Sequence, residues 1–388
     1  MLVFEFKAYG KPKQYAAIDE AIRTVQFIRN KSIRYWMDNP GTNKYDISKY
    51  TSLLAHEFPF VNELNAMSRQ ASGDRAWSAI ARFFDNCKNK VTGKKGFPQF
   101  QRNNRSVEYK TQSWKLAEDR KYITFTDKKK IGRLKLKGTR DLHFYQIKQI
   151  KRIRLVKRAD GYYYAQFCID VNRSETISPT GKAIGLDVGL KEFYVDSFGN
   201  TVENPRFLRR SEHRLKTAQR IVSRRDKGSK NRAKARQVLG KCHLKISRQR
   251  KDFAVKLARC VITSNDVVVY EDLKIKNMVR NHCLAKSIND ASWYQFRVWL
   301  EYFGKVFGKL TIAVAPHGTT QECSSCGATV KKTLSTRTHV CQCGCELDRD
   351  LNAAKNILSR GLSTAGHVGT FALDACNAFG ESTSILVG

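Results

Sequence analysis

No apolar run in this 388-residue sequence approaches the roughly 18–20 residues that a membrane-spanning helix needs. The opening segment, Met1-Leu2-Val3-Phe4-Glu5-Phe6-Lys7, lacks the basic, apolar and small-residue order of a secretory signal. No internal repeat and no low-complexity tract is present. Acidic residues are scarce: 35 Asp and Glu stand against 71 Lys and Arg, a net charge of +36 with a pI near 9.9. The first two absences argue against a membrane-anchored or exported protein and for one that stays in the cytoplasm or on the nucleoid. The shortage of acids is the more informative one. An excess of +36 repels itself unless a polyanion neutralises it, and nucleic acid is the usual polyanion. A basic protein without such a partner, or a binder of membrane surfaces, fits the density of charge less well.

Hydrophobic residues make up 41 % of the chain, enough for real cores, and its length suggests roughly two to four domains of ~100–200 residues. The eleven cysteines are an odd number, and five of them crowd between Cys323 and Cys345. In a cytoplasmic chain such crowding points to a metal and away from disulfides.

Leu2–Tyr9 alternates as a strand does and is closed by Gly10 and Pro12. From Gln14 to Asp38 the spacing of Ala17, Ile22, Val25 and Ile28 predicts a helix, stopped by Asn39-Pro40-Gly41. Two further helices are expected over Asp46–Glu57 and Val61–Asn89, with a loop from Gly93 to Pro98. Strands are expected at Tyr122–Phe125, Arg133–Leu136, Ile150–Lys157 and Tyr162–Val171, the last two joined by an Asp160-Gly161 turn. With the first strand they could close a small β-barrel. Gly185–Asp196 reads as strand, turn at Gly189, strand. Pro205–Ser264 reads as long basic helices, in which Arg209, Arg210, Arg224 and Arg225 are candidates to track a phosphate backbone.

Three acids stand out. Asp187 follows the apolar Ala183-Ile184-Gly185-Leu186. Glu271 ends the β-branched run Asp266-Val267-Val268-Val269-Tyr270. Asp350 lies in Asp348-Arg349-Asp350-Leu351-Asn352-Ala353-Ala354, which opens a helix. An acid at the end of a buried strand is costly unless its charge is offset. Three brought together repel one another, and carboxylates are the ligands Mg²⁺ prefers. Two Mg²⁺ so held would activate a water and stabilise the leaving oxygen of a phosphodiester. Singly, each acid would be a helix cap or a surface charge; their order and setting as a trio carry the argument. The second constellation is Cys323-x2-Cys326 followed by Cys341-x-Cys343, the spacing of one structural four-thiolate Zn²⁺ site. The second pair is one residue tighter than usual, which makes Cys345 a possible substitute; His317 and His339 are weaker candidates.

These elements together resemble the TnpB family, RNA-guided nucleases of insertion sequences related to type V CRISPR effectors. The resemblance runs from about Met1 to Arg360. It rests on Gly185-Leu-Asp187-Val-Gly189, Tyr270-Glu271-Asp-Leu-Lys274, Cys323-x2-Cys326 and Asp348-Arg-Asp350-Leu-Asn-Ala-Ala-Lys-Asn-Ile357. Trp293–Leu300 and Gly96-Phe-Pro-Gln-Phe100 add to it. It implies an α+β multidomain chain. A wedge β-barrel (1–10 and 104–175) would carry a helical recognition insertion (11–103). An RNase H-like (RuvC) nuclease domain (176–316 and 348–362) would be interrupted by a zinc ribbon (317–347). The tail 363–388 lies outside the resemblance, and its Gly, Ser and Thr suggest a mobile segment.

Carried over residue by residue, the resemblance makes Asp187, Glu271 and Asp350 the catalytic, Mg²⁺-holding triad, and Cys323, Cys326, Cys341 and Cys343 the zinc ligands. It implies a guide RNA derived from the transposon end and a double-stranded DNA target cut beside a short motif. Arg69 and Gln70 in the helical insertion, with Thr111 and Gln112 in the wedge, are the candidate motif readers. Two other activities fit part of this pattern: a nuclease-inactive RNA-guided repressor, against which the intact acids speak, and an RNase H-like transposase, for which no helix-turn-helix signal is found.

Overall fold

The computed structural model describes residues 2–333 and 336–364. The chain divides into two compact units, residues 1–172 with 225–241, and residues 173–224 with 242 onward.

The first unit opens with strand β1 (Leu2–Tyr9) and then four helices, α1 (Pro12–Asp38), α2 (Lys44–Glu57), α3 (Pro59–Asn62) and α4 (Ala66–Lys88). Pro12 sits in the first turn of α1, where its missing N–H costs nothing. Ala17, Ile18, Ala21, Ile22, Val25 and Ile28 then form one buried stripe. Six strands follow: β2 (Ser106–Lys110), β3 (Trp114–Leu116), β4 (Tyr122–Phe125), β5 (Gly132–Lys137), β6 (Ile150–Lys157) and β7 (Tyr163–Ile169). The sheet order is β2-β6-β7-β1-β5-β4-β3, every pairing antiparallel. Its two edge strands, β2 and β3, are consecutive in the chain and joined by residues 111–113, so the sheet curls into a nearly closed barrel. Gly161, at φ +78°, makes the expected turn between β6 and β7. Helices and barrel share one core: Ile18, Ile22, Leu54 and Val61 pack in the same cluster as Phe6, Leu155 and Phe167.

The helix expected over Val61–Asn89 is broken. Asn65 turns out of the helix and caps α4, accepting from the Met67 N–H at 2.8 Å, while its amide donates to the Thr126 carbonyl at 2.7 Å. An Asn side chain that can satisfy backbone groups locally competes with the helical ladder, and here it wins. β2 and β3 were not anticipated either.

In the second unit β8 (Ala183–Val188), β9 (Glu192–Asp196) and β10 (Thr201–Glu203) form an antiparallel meander. Then come α5 (Phe207–Arg210), α6 (Glu212–Arg224) and the long α7 (Lys230–Ser264), whose residues from Cys242 onward belong to this unit. Strand β11 (Val267–Glu271) follows, then α8 (Ile275–Met278), α9 (His282–Ala291), α10 (Trp293–Phe307), β12 (Leu310–Val314), and the small hairpin β13 (Thr338–Val340) and β14 (Glu346–Asp348). A last helix, α11, spans residues 349–364. The sheet order is β10-β9-β8-β11-β12, with β8, β11 and β12 parallel. The helical crossovers supply what parallel neighbours require.

Helix α11 lies directly on the parallel strands. A Cβ at Gly185 of β8 would come 2.3 Å from the Ala354 carbonyl oxygen, and one at Gly361 of α11 would come 2.4 Å from a methyl of Val269 in β11. Of the expected tail 363–388, only 363–364 are among the described residues, and they continue α11. No helix among the described residues is long and apolar enough to cross a membrane.

Candidate functional site

Strand β8 delivers Asp187 opposite Val195 of β9. Strand β11 runs parallel to β8 in the register Leu186–Tyr270, so Glu271 ends β11 beside Asp187. Asp350 stands in the first turn of α11, whose N-terminus is capped by the Asp348 carboxylate accepting from the Asp350 N–H at 2.8 Å. The structure thus gathers at one end of the parallel strands three acids far apart in sequence. Burial above all, then the charges of Glu271 and Asp350, push the Asp187 carboxyl well above the usual carboxylate range, with Arg349 opposing. Burial also raises Glu271, against a hydrogen bond from the Thr319 hydroxyl at 2.8 Å and the charge of Arg360.

Asp350 is neutralised locally. Arg349 grips one of its oxygens from Nε at 3.0 Å and from Nη2 at 2.9 Å, and Arg337 stands 3.8 Å from the other. Among the described residues only cysteine-containing groups bring three or more ligand atoms within 4.8 Å of one another. The carboxylates are close enough to repel but do not converge on a single point.

The sulfurs of Cys323, Cys326, Cys341 and Cys343 all lie within 4.8 Å of one another. Cys323 is 3.7 Å from Cys343 and Cys326 is 3.6 Å from Cys341. Thiolates at ~2.3 Å from a tetrahedral zinc would sit about 3.8 Å apart, close to these two separations, so the cluster could hold that ion. The tight second pair works because Gly344, at φ +85°, closes a turn whose N–H donates to the Cys341 carbonyl at 3.0 Å.

Cys345 lies outside this foursome, in a second grouping with Cys323 and His339. His339 is fully buried, and its Nδ1 faces the Lys332 ammonium, which also donates to the Thr320 carbonyl at 3.0 Å. An ammonium has no lone pair, so Nδ1 accepts and the ring proton sits on Nε2, leaving no free lone pair there for a metal. The backbone N–H groups of Cys326 and Ser325, the His339 ring and Cys343 together pull the Cys323 thiol down to about 5.

Two asparagines one turn apart on α11 stitch the cysteine segment down. Asn352 accepts from the Ser324 N–H at 2.9 Å and donates to the Glu322 carbonyl at 2.8 Å; Asn356 donates to the carbonyls of Thr319 and Glu322 at 2.8 and 2.7 Å. Thr319, Asn356, Lys332 and the tautomer of His339 were not singled out from the sequence. The Asn352–Asn356 spacing, two polar residues on the face of a helix that must be buried, was the available signal.

The candidate nucleic-acid contacts separate into inward and outward groups. Arg69 turns inward: one guanidinium nitrogen donates to the carbonyls of Asn62 at 3.2 Å and Leu64 at 2.8 Å, closing the α3–α4 break. Gln70 is exposed and accepts from Lys110 Nζ at 3.1 Å, and Lys110 in turn pairs with Asp74 at 2.6 Å. Lys110 precedes Thr111, which donates to the Lys151 carbonyl at 3.2 Å, and Gln112, exposed at φ +75°. The two polar clusters therefore meet on one face of the first unit. Arg209, Arg210, Arg224 and Arg225 are all exposed; Arg210 has a weak partner in Glu203 at 3.3 Å, and the Asp290 carboxylate fixes the α5 backbone beneath Arg209.

Residues 166–282 match a protein-family model described as "Probable transposase" (OrfB_IS605), and residues 293–357 match "Cas12f1-like, TNB domain". A "Putative RNA-guided DNA endonuclease" of Streptomyces pristinaespiralis is 29 % identical over 381 residues, covering 93 % of this chain and 90 % of that protein. InsQ of Escherichia coli (strain K12), under the same description, is 27 % identical over 292 residues, 71 % of each chain. Among solved structures, one described as the cryo-EM structure of the Cas12f1-sgRNA-target DNA complex aligns with a TM-score of 0.56 at 15 % identity, over 90 % of this chain and 83 % of that one. The mini-RNA-guided endonuclease CRISPR-Cas_phi3 aligns with a TM-score of 0.53 at 10 % identity, over 92 % of both. At these identities the structural likeness is one of fold.

Proposed function

We propose that this chain, a relative of the TnpB-like RNA-guided DNA endonucleases, is itself a transposon-encoded nuclease that cuts double-stranded DNA where a bound guide RNA directs it. The observation that carries the reading is the gathering of Asp187, Glu271 and Asp350 around a carboxylate whose burial makes its charge costly. The second-unit sheet, an antiparallel meander continued by two parallel strands, supports reading it as an RNase H-like (RuvC) domain. In that frame 176–316 and 348–362 form the nuclease domain around a zinc ribbon at 317–347. The nearly closed barrel is the wedge (1–10 and 104–175), and 11–103 is its recognition insertion.

Two Mg²⁺ ions bound by this trio would activate water for attack and offset charge on the leaving oxygen of the phosphodiester. The chain's own part is to hold the carboxylates: β8 and β11 fix Asp187 and Glu271 on rigid backbone, and the capped end of α11 fixes Asp350. To hold such an ion, the Asp350 oxygen now bound by Arg349 would have to be released from it. The four thiolates of Cys323, Cys326, Cys341 and Cys343 would hold one zinc with no open position, which makes that site structural. The net charge of +36 would hold guide and target by their phosphates, with sequence read by base pairing, at the nucleoid.

The test is to purify the chain gently, sequence the RNA that accompanies it, and then replace the guide segment. Cutting should move to the DNA that matches the new segment. A strand-transferring transposase, which the description of the first family model favours, predicts instead joined ends and full activity after the RNA is digested.

Two contact predictions follow from exposure. Arg224→Ala with Arg225→Ala should weaken binding to all sequences alike and lower the salt slope of binding by roughly one per lost phosphate contact. An unchanged slope would make the pair a solvated face. Gln70→Ala should change which bases beside the target are tolerated, read by cutting a library with randomised flanks, because a Gln amide suits adenine in the major groove. An unchanged profile with intact activity would remove Gln70 from the reader; an equal loss on every flank would mark it as a phosphate contact.

A further inference from the structure

Glu271 is held by a residue 48 positions away that forms no part of the acidic trio. The Thr319 hydroxyl, 2 % exposed, lies 2.8 Å from Glu271 Oε1 and 3.3 Å from the Pro316 carbonyl. It has one hydrogen to give, and the shorter, charge-assisted bond to the carboxylate takes it. Glu271 Oε2 is left without that constraint. Thr319 is itself pinned from the other side, since its carbonyl accepts from Asn356 of α11 at 2.8 Å. Arg360, one turn further along α11, donates to the carbonyls of Ala315 and His317 and pairs with Glu322 at 2.6 Å, so the segment on both sides of Thr319 is anchored to the same helix. Since α11 also carries Asp350, one hydrogen-bonded path of three residues, Glu271–Thr319–Asn356, ties the second acid of the trio to the helix that presents the third.

We propose that Thr319 is a positioning residue: its hydroxyl fixes the rotamer of Glu271 and occupies Oε1, so that Oε2 is the oxygen presented to the metal. The inference rests on the nuclease reading above. Carboxylates that bind metal are themselves hydrogen-bonded, and removal of such a partner typically costs roughly 10–100-fold in metal affinity or activity. The Asn356 carboxamide and the Arg360 guanidinium keep the loop in place when the hydroxyl alone is removed. The path also gives the cysteine segment a role in the chemistry, because Asn356 and Asn352 hold Glu322 and Ser324, the two neighbours of Cys323, from the same face of α11.

The experiment compares Thr319→Val, which keeps shape and loses the hydroxyl, with Thr319→Ser, which keeps the hydroxyl. Both are assembled with guide RNA and target DNA, beside wild type and Asp187→Ala. Three quantities are read: the Mg²⁺ concentration for half-maximal cutting, the thermal shift of the complex on Ca²⁺ titration, and the zinc content. For Thr319→Val the half-maximal Mg²⁺ should rise about tenfold or more, the Ca²⁺ midpoint should rise with it, and saturating Mg²⁺ should restore most of the rate. Thr319→Ser should stay within about twofold of wild type, because its hydroxyl can make the same bond. Unchanged metal midpoints in Thr319→Val would overturn the proposal. So would a loss of rate that no Mg²⁺ restores together with lost zinc, since that describes a fold tie and not a metal-site partner. A wild-type complex that does not cut, or an Asp187→Ala complex that does, would overturn the nuclease reading instead.

Discussion

Asp187→Ala should lower guided DNA cutting by at least about 10²–10³-fold, the scale of removing one preorganised electrostatic group, while RNA and target binding persist. Glu271→Ala and Asp350→Ala should do the same, because each acid contributes to one charge-bearing site and touches no base. Robust cutting by Asp187→Ala at ordinary Mg²⁺ would sink the assignment. A second readout separates a metal site from an ordinary acidic cluster. The Asp187 carboxyl is raised above the ordinary carboxylate range by burial first and by Glu271 and Asp350 next. A carboxyl raised on folding costs stability once pH exceeds its unfolded value, and the cost is complete only above the folded value. Asp187→Asn removes that cost. In EDTA its melting temperature should exceed that of wild type at pH 8, and the gain should shrink as pH falls toward 4. Added Mg²⁺ should stabilise wild type and not the variant, since only a state that binds the ion gains from it. A variant less stable than wild type in EDTA at pH 8 would mean the buried acid is part of a satisfied network and no metal is needed to balance it.

What could be read in the sequence was whatever a short window specifies. The run Val267–Val269, in a parallel strand that buries Val268 and Val269, reads as β11 from its β-branched residues alone, and an acid following such a run is conspicuous. The stripe Ala17–Ile28 reads as α1 by period, and the cysteine spacing reads as a thiolate cluster. What was not legible depends on partners distant in the chain. Strand β2 buries Glu108, which no strand pattern allows, because Arg75, Arg152 and Arg154 arrive from α4 and β6 to neutralise it. Arg69 looked like a surface contact until the break between α3 and α4 gave it carbonyls to close. Asn65 broke a helix whose apolar spacing ran on unbroken, because it found the Thr126 carbonyl just beyond β4. For the same reason Thr319 carries no local mark: its role exists only once β11 and α11 are packed together.

Cys323→Ser should reduce zinc from about one ion per chain to almost none, and should destabilise the hairpin region more than any other single cysteine change. Cys323 is buried, belongs to both groupings of ligands, and has the thiol most favoured to ionise, pulled down to about 5 by backbone N–H groups before any metal arrives. Structural zinc in small domains contributes roughly 10–16 kcal/mol of folding free energy. Whole domains have only about 5–15 kcal/mol, so the segment around residues 317–347 should not keep its shape without the ion. Because Asn352 and Asn356 tie that segment to α11, loss of zinc should also depress cutting through Thr319, with guide binding spared. Elemental analysis and melting curves on Cys323→Ser, Cys343→Ser and Cys345→Ser decide the ligand set. Cys343→Ser should lose zinc nearly as fully as Cys323→Ser. Cys345→Ser should keep it, since its only grouping needs His339, whose Nδ1 is occupied by Lys332 and whose Nε2 carries the proton. If Cys345→Ser lost as much zinc as Cys343→Ser, Cys345 would be a ligand too, and the set of Cys323, Cys326, Cys341 and Cys343 would be wrong.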